Sequence, residues 1–262
     1  MENVDLKSID IIVPLRIDNP DRLENLIIQK RFFDNTTINC NIIYVEQDTE
    51  QKFPGSHFIK SEKEELFNKC LCYNTGLELV KTEYVCCLDS DLIFNPENLL
   101  KSIGVGDICI GYNKTSLYLN YEAKKIISNK PELETLHQII RHATTGVLDS
   151  SNNFKITNFY IVPLSNAVGG CLVCNTDILR KIKGFNTKFR GWGYEDNEIV
   201  VRAHKLGYNV VSLKDANAVV FHLPHTQSII TVKEAEIQNT IEMRKIDNMS
   251  VDEIIEYTQR MI

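Results

Sequence analysis

The pattern of apolar and polar positions along the chain predicts strands that alternate with helices. Near-continuous apolar runs of strand length are typical of strands buried on both faces of a parallel sheet. Such runs predict strands at residues 9–15, 41–46, 83–88, 107–111, 169–174, 210–213 and 218–221. Strands joined through helices favour an open, mainly parallel α/β sheet, and the ligand of such a sheet lies beyond the carboxyl ends of its strands.

Helices are predicted where capping signals precede periodic apolar positions. Asn19 before Pro20 is a start signal, and Ser61 with Glu64 forms a capping box for a helix that ends near Val80. Further helices are predicted at residues 177–182 and 195–206, and in a C-terminal tail at residues 232–262, where Ser250 and Glu253 form another capping box.

Residues from about 113 to 158 interrupt this alternation. Their pattern predicts a polar insertion with little core of its own, which contains two helices at residues 117–128 and 132–142. We expect the insertion to flank the ligand site. The chain is therefore predicted to form one domain over residues 1–262, with a helical insertion and a helical tail.

The composition narrows the class of protein. The chain has 262 residues, of which 43% are hydrophobic, and a net charge of −6, which argues against disorder and against a nucleic-acid surface. Its apolar runs are far shorter than the ~20 residues of a membrane span, and the N-terminus lacks the pattern of a signal peptide. We expect a cytoplasmic protein without a transmembrane segment, with peripheral contact at the inner face of a membrane as an open alternative.

The eight cysteines predict buried free thiols, because nearly all of them lie in apolar strand-like or helical segments. Cys171 and Cys174 form a Cys-x-x-Cys pair. A zinc site would need a second pair at a suitable spacing, and none follows, so zinc binding is not expected.

Residues 184–198 contain the only tryptophan of the chain. Trp192 lies between Gly191 and Gly193 and is followed by an acidic cluster. An aromatic ring beside carboxylates is typical of a sugar site, and flanking glycines permit close approach by another molecule. In the alternative interpretation the ring packs in a turn, and the acids stabilise a helix N-terminus through the helix dipole.

Two further pairs of residues predict a metal site. Asp89 and Asp91 follow an apolar strand, where carboxylate oxygens can hold a divalent cation against a diphosphate. His222 and His225 follow another strand, at a spacing that lets two imidazoles converge on one ion. Together with Asp91 they form a mixed nitrogen and oxygen donor set suited to Mn²⁺. Each pair alone is a weak signal, since Asp-x-Asp also occurs in turns and helix caps.

Five segments, in order over most of the chain, resemble the β-1,4-galactosyltransferase family and related glycosyltransferases with the GT-A fold. The similar segments are Ile12-Val13-Pro14-Leu15-Arg16; Phe67-Asn68-Lys69 with Asn74-Thr75-Gly76; Asp89-Ser90-Asp91; Gly169-Gly170 followed by Gly184-Phe185 and Gly191-Trp192-Gly193-Tyr194-Glu195-Asp196; and the pair His222 and His225. The combination is specific, although each segment alone is not.

The resemblance implies a role for each of these residues. Mn²⁺, with Mg²⁺ as an alternative ion, would be bound by Asp91, His222 and His225. A uridine-diphosphate sugar donor would lie against Pro14, Arg16, Lys69, Asp89, Asp91 and Gly170. The pocket for the sugars, including the acceptor, would be formed by Trp192, Gly193, Tyr194, Glu195 and Asn197. Asp196 would be the catalytic base, and with the ordinary aspartate pKa of about 4 it would be ionised at neutral pH.

Five positions depart from the family pattern, and one of them is His222, which stands where the family usually has a methionine metal ligand. Asp18 and Lys69 stand where the family has arginines, while Tyr194 and Asn197 replace a glycine and an acid beside the sugars. Lysine lacks the planar fork of arginine, so contacts to the diphosphate change. We expect the nucleotide and metal machinery to be retained and acceptor recognition to differ.

The expected function is metal-dependent transfer, with inversion, of a hexose or N-acetylhexosamine from a UDP-sugar to a sugar hydroxyl. Galactose and N-acetylgalactosamine are favoured, and the acceptor would be a glycan or a lipid-linked sugar in surface polysaccharide synthesis. Two alternatives stay open. One is a retaining enzyme that resembles the polypeptide N-acetylgalactosaminyltransferases, and the other is a protein that binds sugar nucleotides without turnover.

Overall fold

A computed structural model describes residues 8–144, 147–148, 154–155, 159–162, 168–226 and 233–261 of the chain. The strands in this part of the chain are β1 (Ile9–Leu15), β2 (Cys40–Asp48), β3 (His57–Lys60), β4 (Tyr84–Leu88), β5 (Leu92–Phe94), β6 (Ile108–Ile110), β7 (Ser116–Leu119), β8 (Val147–Leu148), β9 (Phe154–Lys155), β10 (Phe159–Val162), β11 (Cys171–Asn175), β12 (Val210–Ser212) and β13 (Val220–His222). The helices are α1 (Pro20–Asp34), α2 (Lys69–Leu77), α3 (Glu97–Ser102), α4 (Tyr121–Asn129), α5 (Leu133–Thr144), α6 (Thr176–Lys181), α7 (Glu195–Lys205), α8 (Lys233–Asn248) and α9 (Val251–Gln259).

The larger sheet has seven strands in the order β12-β6-β11-β4-β1-β2-β3. β1 is parallel to β2 and β4, β2 is parallel to β3, and β6 is parallel to β12. β11 runs antiparallel to both of its neighbours, β4 and β6. The predicted mainly parallel α/β sheet is therefore confirmed. The reversed β11 pairs Cys171 with Leu88, which brings the segment before β11 to the carboxyl end of β4.

A second sheet has four strands in the order β10-β7-β13-β5. β13 runs antiparallel to β5, so that His222 pairs with Leu92, and parallel to β7, so that His222 also pairs with Tyr118. Because Leu92 directly follows Asp91, this register carries His222 to the acidic segment after β4.

The core surrounds the larger sheet on both faces, as continuous apolar strands require. Ile11, Ile12 and Val13 are successive residues of β1 and all are 0% exposed. The eight cysteines are free thiols, and all of them except the half-buried Cys40 are buried. The prediction of buried thiols is thus confirmed for these residues.

The second helix begins later than its capping signal predicts. Residues 57–60 form β3, which pairs with β2, and the Ser61 N–H continues this pairing by donating to the Asp48 carbonyl at 2.9 Å. α2 begins only at Lys69, where the Asn68 side chain accepts from the Leu71 N–H. The predicted start at Ser61 is wrong because pairing with β2 outweighs the local signal.

The segment predicted as a polar insertion contains both a strand and a core. Residues 116–119, at the start of the first predicted helix, form β7, and α4 begins after Asn120, whose side chain accepts from the Ala123 N–H. α4 and α5 pack against α1 in a second apolar cluster, which includes Ile127, Leu136 and Phe32. The expectation of helices with little core is therefore wrong. Parts of the predicted insertion, and residues 227–232 of the tail, lie outside the described residues.

The C-terminal tail is helical, as predicted. α9 begins with a capping box in which the Ser250 side chain accepts from the Glu253 N–H and the Glu253 side chain accepts from the Ser250 N–H. No helix in the described ranges is both long enough and apolar enough to span a membrane.

A buried ion pair fixes α7 against the turn that follows α6. The Arg202 and Glu198 side chains are both 0% exposed, with Nε and Oε1 2.6 Å apart. Arg202 also donates to the carbonyls of Ile182 and Gly184. This pair positions the helix whose first turn carries the acidic cluster.

Replacing Arg202 by leucine is expected to lower the free energy of unfolding by ~3 to 5 kcal/mol, because Glu198 would be left as an unpaired buried charge. Urea unfolding followed by far-UV circular dichroism measures the loss. Arg260→Leu is the matched control, since Arg260 pairs with Glu256 at the same helical spacing but both are exposed. Little change is expected for the control. Equal losses in the two variants would contradict the assignment.

Candidate active site

Segments distant in sequence meet at the carboxyl end of β4. The Asp89 N–H donates to the Gly170 carbonyl at 2.8 Å, which ties the segment before β11 to this point. Gln29 of α1 donates its side-chain amide to the carbonyls of Asp89 and Leu92 at 2.8 and 2.7 Å. The acidic segment is therefore held from two sides.

Asp91, His222 and His225 form a cluster of candidate metal ligands. Asp91 Oδ2 lies 3.1 Å from His225 Nε2 and 3.5 Å from His222 Nε2, and one donor atom of each residue lies within 4.8 Å of the others. Burial opposes ionisation of Asp91, but the two imidazoles outweigh it and hold the pKa of this carboxyl well below its usual range. The hydrogen bond with Asp91 raises the pKa of His225. One carboxylate and two imidazoles fit an ion such as Mn²⁺.

Both imidazoles are oriented by residues that sequence reasoning missed. The ring of Tyr118 stacks on His222, with centroids 4.6 Å apart and planes 26° apart. His225 Nδ1 lies 3.1 Å from the Thr226 carbonyl, so the tautomer with its proton on Nδ1 keeps Nε2 free for an ion. Outer partners of this kind fix the ring orientation of metal ligands.

The segment that carries His225 is held by α1. Asn25 donates to the carbonyls of Leu223 and Pro224, and Asp21 Oδ2 accepts from the N–H and the hydroxyl of Thr226 at 3.0 and 2.7 Å. The hydrogen bonds from Thr226 lower the pKa of Asp21 to about 2. Sequence reasoning missed Asp21 and Asn25 because their partners lie about 200 residues away along the chain.

Lys69, the first residue of α2, pairs with three carboxylates. Its Nζ lies 2.7 Å from Glu195 Oε1, 3.0 Å from Asp89 Oδ1 and 3.2 Å from Asp196 Oδ2. Burial opposes the charged form, yet the carboxylates, Asp196 first, raise the pKa of Lys69 well above its usual value. Tyr73, one turn further along α2, donates its hydroxyl to Asp89 Oδ1 at 2.9 Å. Lys69 therefore contacts both Asp196 and Asp89, the acid that is expected to lie against the donor.

The two adjacent acids at the start of α7 have pKa values shifted in opposite directions. Burial raises the pKa of Asp196 to about 7, Glu195 and Asp89 act in the same direction, and Lys69 opposes them. Burial also acts on Glu195, but Lys69 and backbone N–H groups outweigh it and lower the pKa of Glu195. The expectation of an ordinary pKa for Asp196 is wrong, because the sequence carries no measure of desolvation. At neutral pH, Asp196 can therefore exchange a proton while Glu195 stays ionised.

Gly169 and Gly170 pack directly against the acids. A Cβ atom at position 169 would lie 2.1 Å from Asp196 Oδ2, so no larger residue fits without displacing that carboxylate. Gly170 has a φ of +83°, and its Cβ position lies 3.4 Å from Asp89 Oδ2. These glycines let β11 approach the site closely.

Trp192 is exposed beside this acidic cluster. Its side chain is 75% exposed, and Tyr194 is 41% exposed. Gly191, Gly193 and Tyr194 have φ values of 68°, 109° and 70°. This exposure excludes the packed-turn interpretation of Trp192 and leaves its ring accessible to another molecule. Asn197 is also exposed, one residue after Asp196.

Pro14 and Arg16 lie at the carboxyl end of β1. Pro14 is buried in the strand. The Arg16 guanidinium donates to the carbonyls of Glu65 and Lys63, which fixes the segment before α2. Asp18, where the family has a second arginine, pairs with Arg22 at 3.2 Å. Contacts of Pro14 and Arg16 with a nucleotide stay predictions.

Comparison with known proteins supports the resemblance in sequence. A family model described as the N-terminal domain of galactosyltransferase matches residues 153–226. β-1,4-Galactosyltransferase 6 of Mus musculus is 36% identical over 66 residues, which are 25% of this chain and 17% of that protein. Chondroitin synthase of Escherichia coli is 27% identical over 176 residues, covering 60% of this chain and 25% of that protein. The matches thus span a quarter or less of these relatives.

Solved structures share the fold at low sequence identity. A mutant of Drosophila β-1,4-galactosyltransferase 7 in complex with manganese, UDP-Gal and xylobiose has a TM-score of 0.51 at 18% identity, over 94% of this chain and 83% of that one. Mannosyltransferase PcManGT from Pyrobaculum calidifontis, in complex with GDP-Man and Mn²⁺, has a TM-score of 0.50 at 13% identity, over 96% and 68%. The chain therefore has the GT-A glycosyltransferase fold, and its resemblance to the β-1,4-galactosyltransferases is confirmed.

Proposed function

We propose that the chain is a metal-dependent inverting glycosyltransferase that uses a UDP-sugar. The carrying observation is the juxtaposition of two clusters joined by a single short segment. Asp91 meets His222 and His225, while Asp89, two residues earlier, meets Lys69, which also contacts Asp196. The three candidate metal ligands are thereby adjacent to Asp196, a carboxyl whose side chain is 15% exposed and whose pKa is raised to about 7.

Asp91, His222 and His225 would hold the ion, with Mn²⁺ favoured by the imidazole ligands and Mg²⁺ as the alternative. A bound divalent ion neutralises the charge that develops on a leaving diphosphate. That solved relatives of the same fold are complexed with manganese or Mn²⁺ supports this choice of ion.

Asp196 would take the proton of the acceptor hydroxyl. In one displacement the acceptor oxygen forms its bond to the anomeric carbon while the bond from that carbon to the diphosphate oxygen breaks, which inverts the anomeric configuration. The proton is transferred to the Asp196 carboxylate. The contact of Asp196 Oδ2 with Lys69 Nζ at 3.2 Å holds this carboxylate in position. A positioned base contributes ~10² to 10⁴ in rate.

The substrate contacts follow the same division of the site. The donor would be bound by Pro14, Arg16, Lys69, Asp89, Asp91 and Gly170. The sugars would be bound by Trp192, Gly193, Tyr194, Glu195 and Asn197. Exposed Trp192 and Tyr194 offer apolar faces for sugar rings. Likeness to a galactosyltransferase and to chondroitin synthase supports a hexose or N-acetylhexosamine donor and a role in polysaccharide synthesis. A glycan or a lipid-linked sugar is the acceptor that we propose with it.

A screen of sugar nucleotides tests the proposal. Purified protein is incubated with UDP-galactose, UDP-N-acetylgalactosamine, UDP-glucose or UDP-N-acetylglucosamine, with Mn²⁺ or with chelator, and UDP release is measured. We expect Mn²⁺-dependent release from at least one donor. Release that chelator does not abolish would contradict the metal role, and no release with any donor would favour a protein that binds without turnover. NMR of the product anomer separates inversion from the retaining alternative.

The pH dependence of transfer should report Asp196. The base must be unprotonated, and its pKa is raised to about 7, so activity is expected to fall as pH decreases through about 7. Glu195→Gln removes a negative charge that raises the pKa of Asp196. In this variant, the rise of activity with pH should therefore occur at lower pH than in the wild type. The measurement is kcat/KM for the acceptor against pH at saturating donor. A rise at the same pH in Glu195→Gln as in the wild type would contradict this assignment.

A further inference from the structure

The loop that carries Trp192 has little regular structure of its own. Gly191, Gly193 and Tyr194 all have positive φ values, of which Tyr194 at 70° is unfavourable for a residue with a side chain. Conformations of this kind persist only where surrounding groups hold them. The hydrogen bonds that hold this loop therefore decide where the exposed indole ring stands.

Asn239 of α8 supplies a set of such hydrogen bonds. Its Nδ2 donates to the carbonyls of Arg190, Trp192 and Gly193 at 3.0, 3.2 and 3.1 Å, and its Oδ1 accepts from the Arg190 N–H at 3.4 Å. Asn239 is only 3% exposed. One buried amide side chain thus binds the main chain on both sides of Trp192.

α8 is a firm base for this contact. Met243 and Ile246 of α8 are buried in the main core, at 6% and 0% exposure. Ala235 lies one turn before Asn239, and its Cβ is 3.7 Å from the Cβ position of Gly191. The same face of the helix that packs on the core therefore also meets the loop.

The loop is coupled in turn to the acids. The backbone N–H of Gly193 contributes to the lowered pKa of Glu195, and Glu195 Oε1 lies 2.7 Å from Lys69 Nζ. A displacement of the loop at Gly193 would move both the indole ring and one partner of Glu195.

We propose that Asn239 is a positioning residue for acceptor binding, which makes α8 part of the functional site rather than a covering layer on the sheet. The proposal rests on the proposed function for the identity of the ligand, an acceptor sugar stacked on Trp192. Asn239 acts through the loop backbone, so its removal should weaken acceptor binding and leave the metal ligands and the donor side intact.

The single tryptophan of the chain makes the loop directly observable, because all tryptophan emission comes from Trp192. The variants are Asn239→Ala and Asn239→Asp, the latter of similar size but without an amide donor. Asn248→Ala is the matched control, since Asn248 lies on α8, is exposed and donates to the Arg244 carbonyl within the same helix. Emission maximum and acrylamide quenching are measured, with far-UV circular dichroism to follow the fold.

We expect both Asn239 variants, and not the control, to change the emission and quenching of Trp192 with unchanged circular dichroism. With N-acetylglucosamine and xylobiose as acceptor probes, the acceptor KM should rise ~10-fold or more, since misplacement of a binding group is costly, while Mn²⁺ affinity and the rate of donor hydrolysis stay near wild type. Unchanged emission would overturn the proposal. A loss of Mn²⁺ binding and circular dichroism alongside the emission change would also overturn it, because the role would then be structural.

Failure of the proposed function is a separate result. It would appear as wild-type protein that releases no UDP. The emission measurement does not depend on turnover, and it tests only whether Asn239 positions the loop. Should Asn239→Ala not fold, Asn239→Ser, which keeps a small polar group, is measured in the same way. Wild-type emission and acceptor KM in Asn239→Ser would then overturn the proposal.

Discussion

Asp196→Asn is expected to reduce transfer by ~10² to 10⁴-fold while the protein still folds and binds its donor. Asparagine is nearly isosteric but cannot accept the acceptor proton. Lys69 would keep Glu195 and Asp89 as partners at 2.7 and 3.0 Å, so the local structure should persist. The measurement is kcat for transfer, together with the Kd of UDP in the presence of Mn²⁺.

The matched control is Asp177→Asn, because Asp177 also lies in the first turn of a helix, α6, but its side chain is 81% exposed. Its turnover should equal that of the wild type. Wild-type turnover in Asp196→Asn would show that another group is the base. A loss of UDP binding equal to the loss of turnover would instead place Asp196 among the donor contacts.

His225→Ala is expected to weaken Mn²⁺ binding by ~10²-fold or more and to abolish activity at Mn²⁺ concentrations that saturate the wild type. The variant removes one of the three donor atoms that lie within 4.8 Å of one another. It also leaves Asp91 with one imidazole partner instead of two. Free Mn²⁺, followed by its electron paramagnetic resonance signal during titration, gives the affinity without any need for turnover.

His57→Ala serves as the control, since His57 is an exposed histidine on β3. It should bind Mn²⁺ as the wild type does. Unchanged affinity in His225→Ala would mean that the ion binds elsewhere. An equal loss in both variants would point to binding by surface histidines in general.

The strands that build the site could be predicted closely from the sequence. The bounds predicted for β1 agree with the structure to the residue, and the carboxyl ends predicted for β4 and β13 agree within one residue. Continuous apolar runs are strong signals because both faces of these strands are buried, so nearly every position is apolar, with the buried Asp10 of β1 as an exception. The polar residues that end such runs were therefore located correctly, including Asp89 and His222.

Elements defined by long-range pairing were missed. Residues 57–60 and 116–119 carry no strand pattern that outweighs nearby helix signals, yet they form β3 and β7 because neighbouring strands offer unpaired backbone groups. The capping signal at Ser61 is a local preference of about 1 kcal/mol, which a ladder of backbone hydrogen bonds easily exceeds.

Supporting residues of the site were missed for a related reason. Tyr118, Asn25 and Asp21 are ordinary residues of a strand and a helix, and their roles arise from contacts with the segment around His222 and His225. Asn239 lies in a helix of the tail, and nothing in the sequence around it indicates a role in the site. Only the fold tells which carbonyls its amide meets.

The sequence by itself determined the chemical groups and the strand ends at which they stand: two aspartates after β4, two histidines around the end of β13, and acids after the tryptophan loop. The tertiary structure decided which of these groups meet, because the antiparallel β11 and the register of β13 bring them together. It also decided the pKa of Asp196, raised to about 7 by burial, since desolvation is a property of the surroundings and not of the residue.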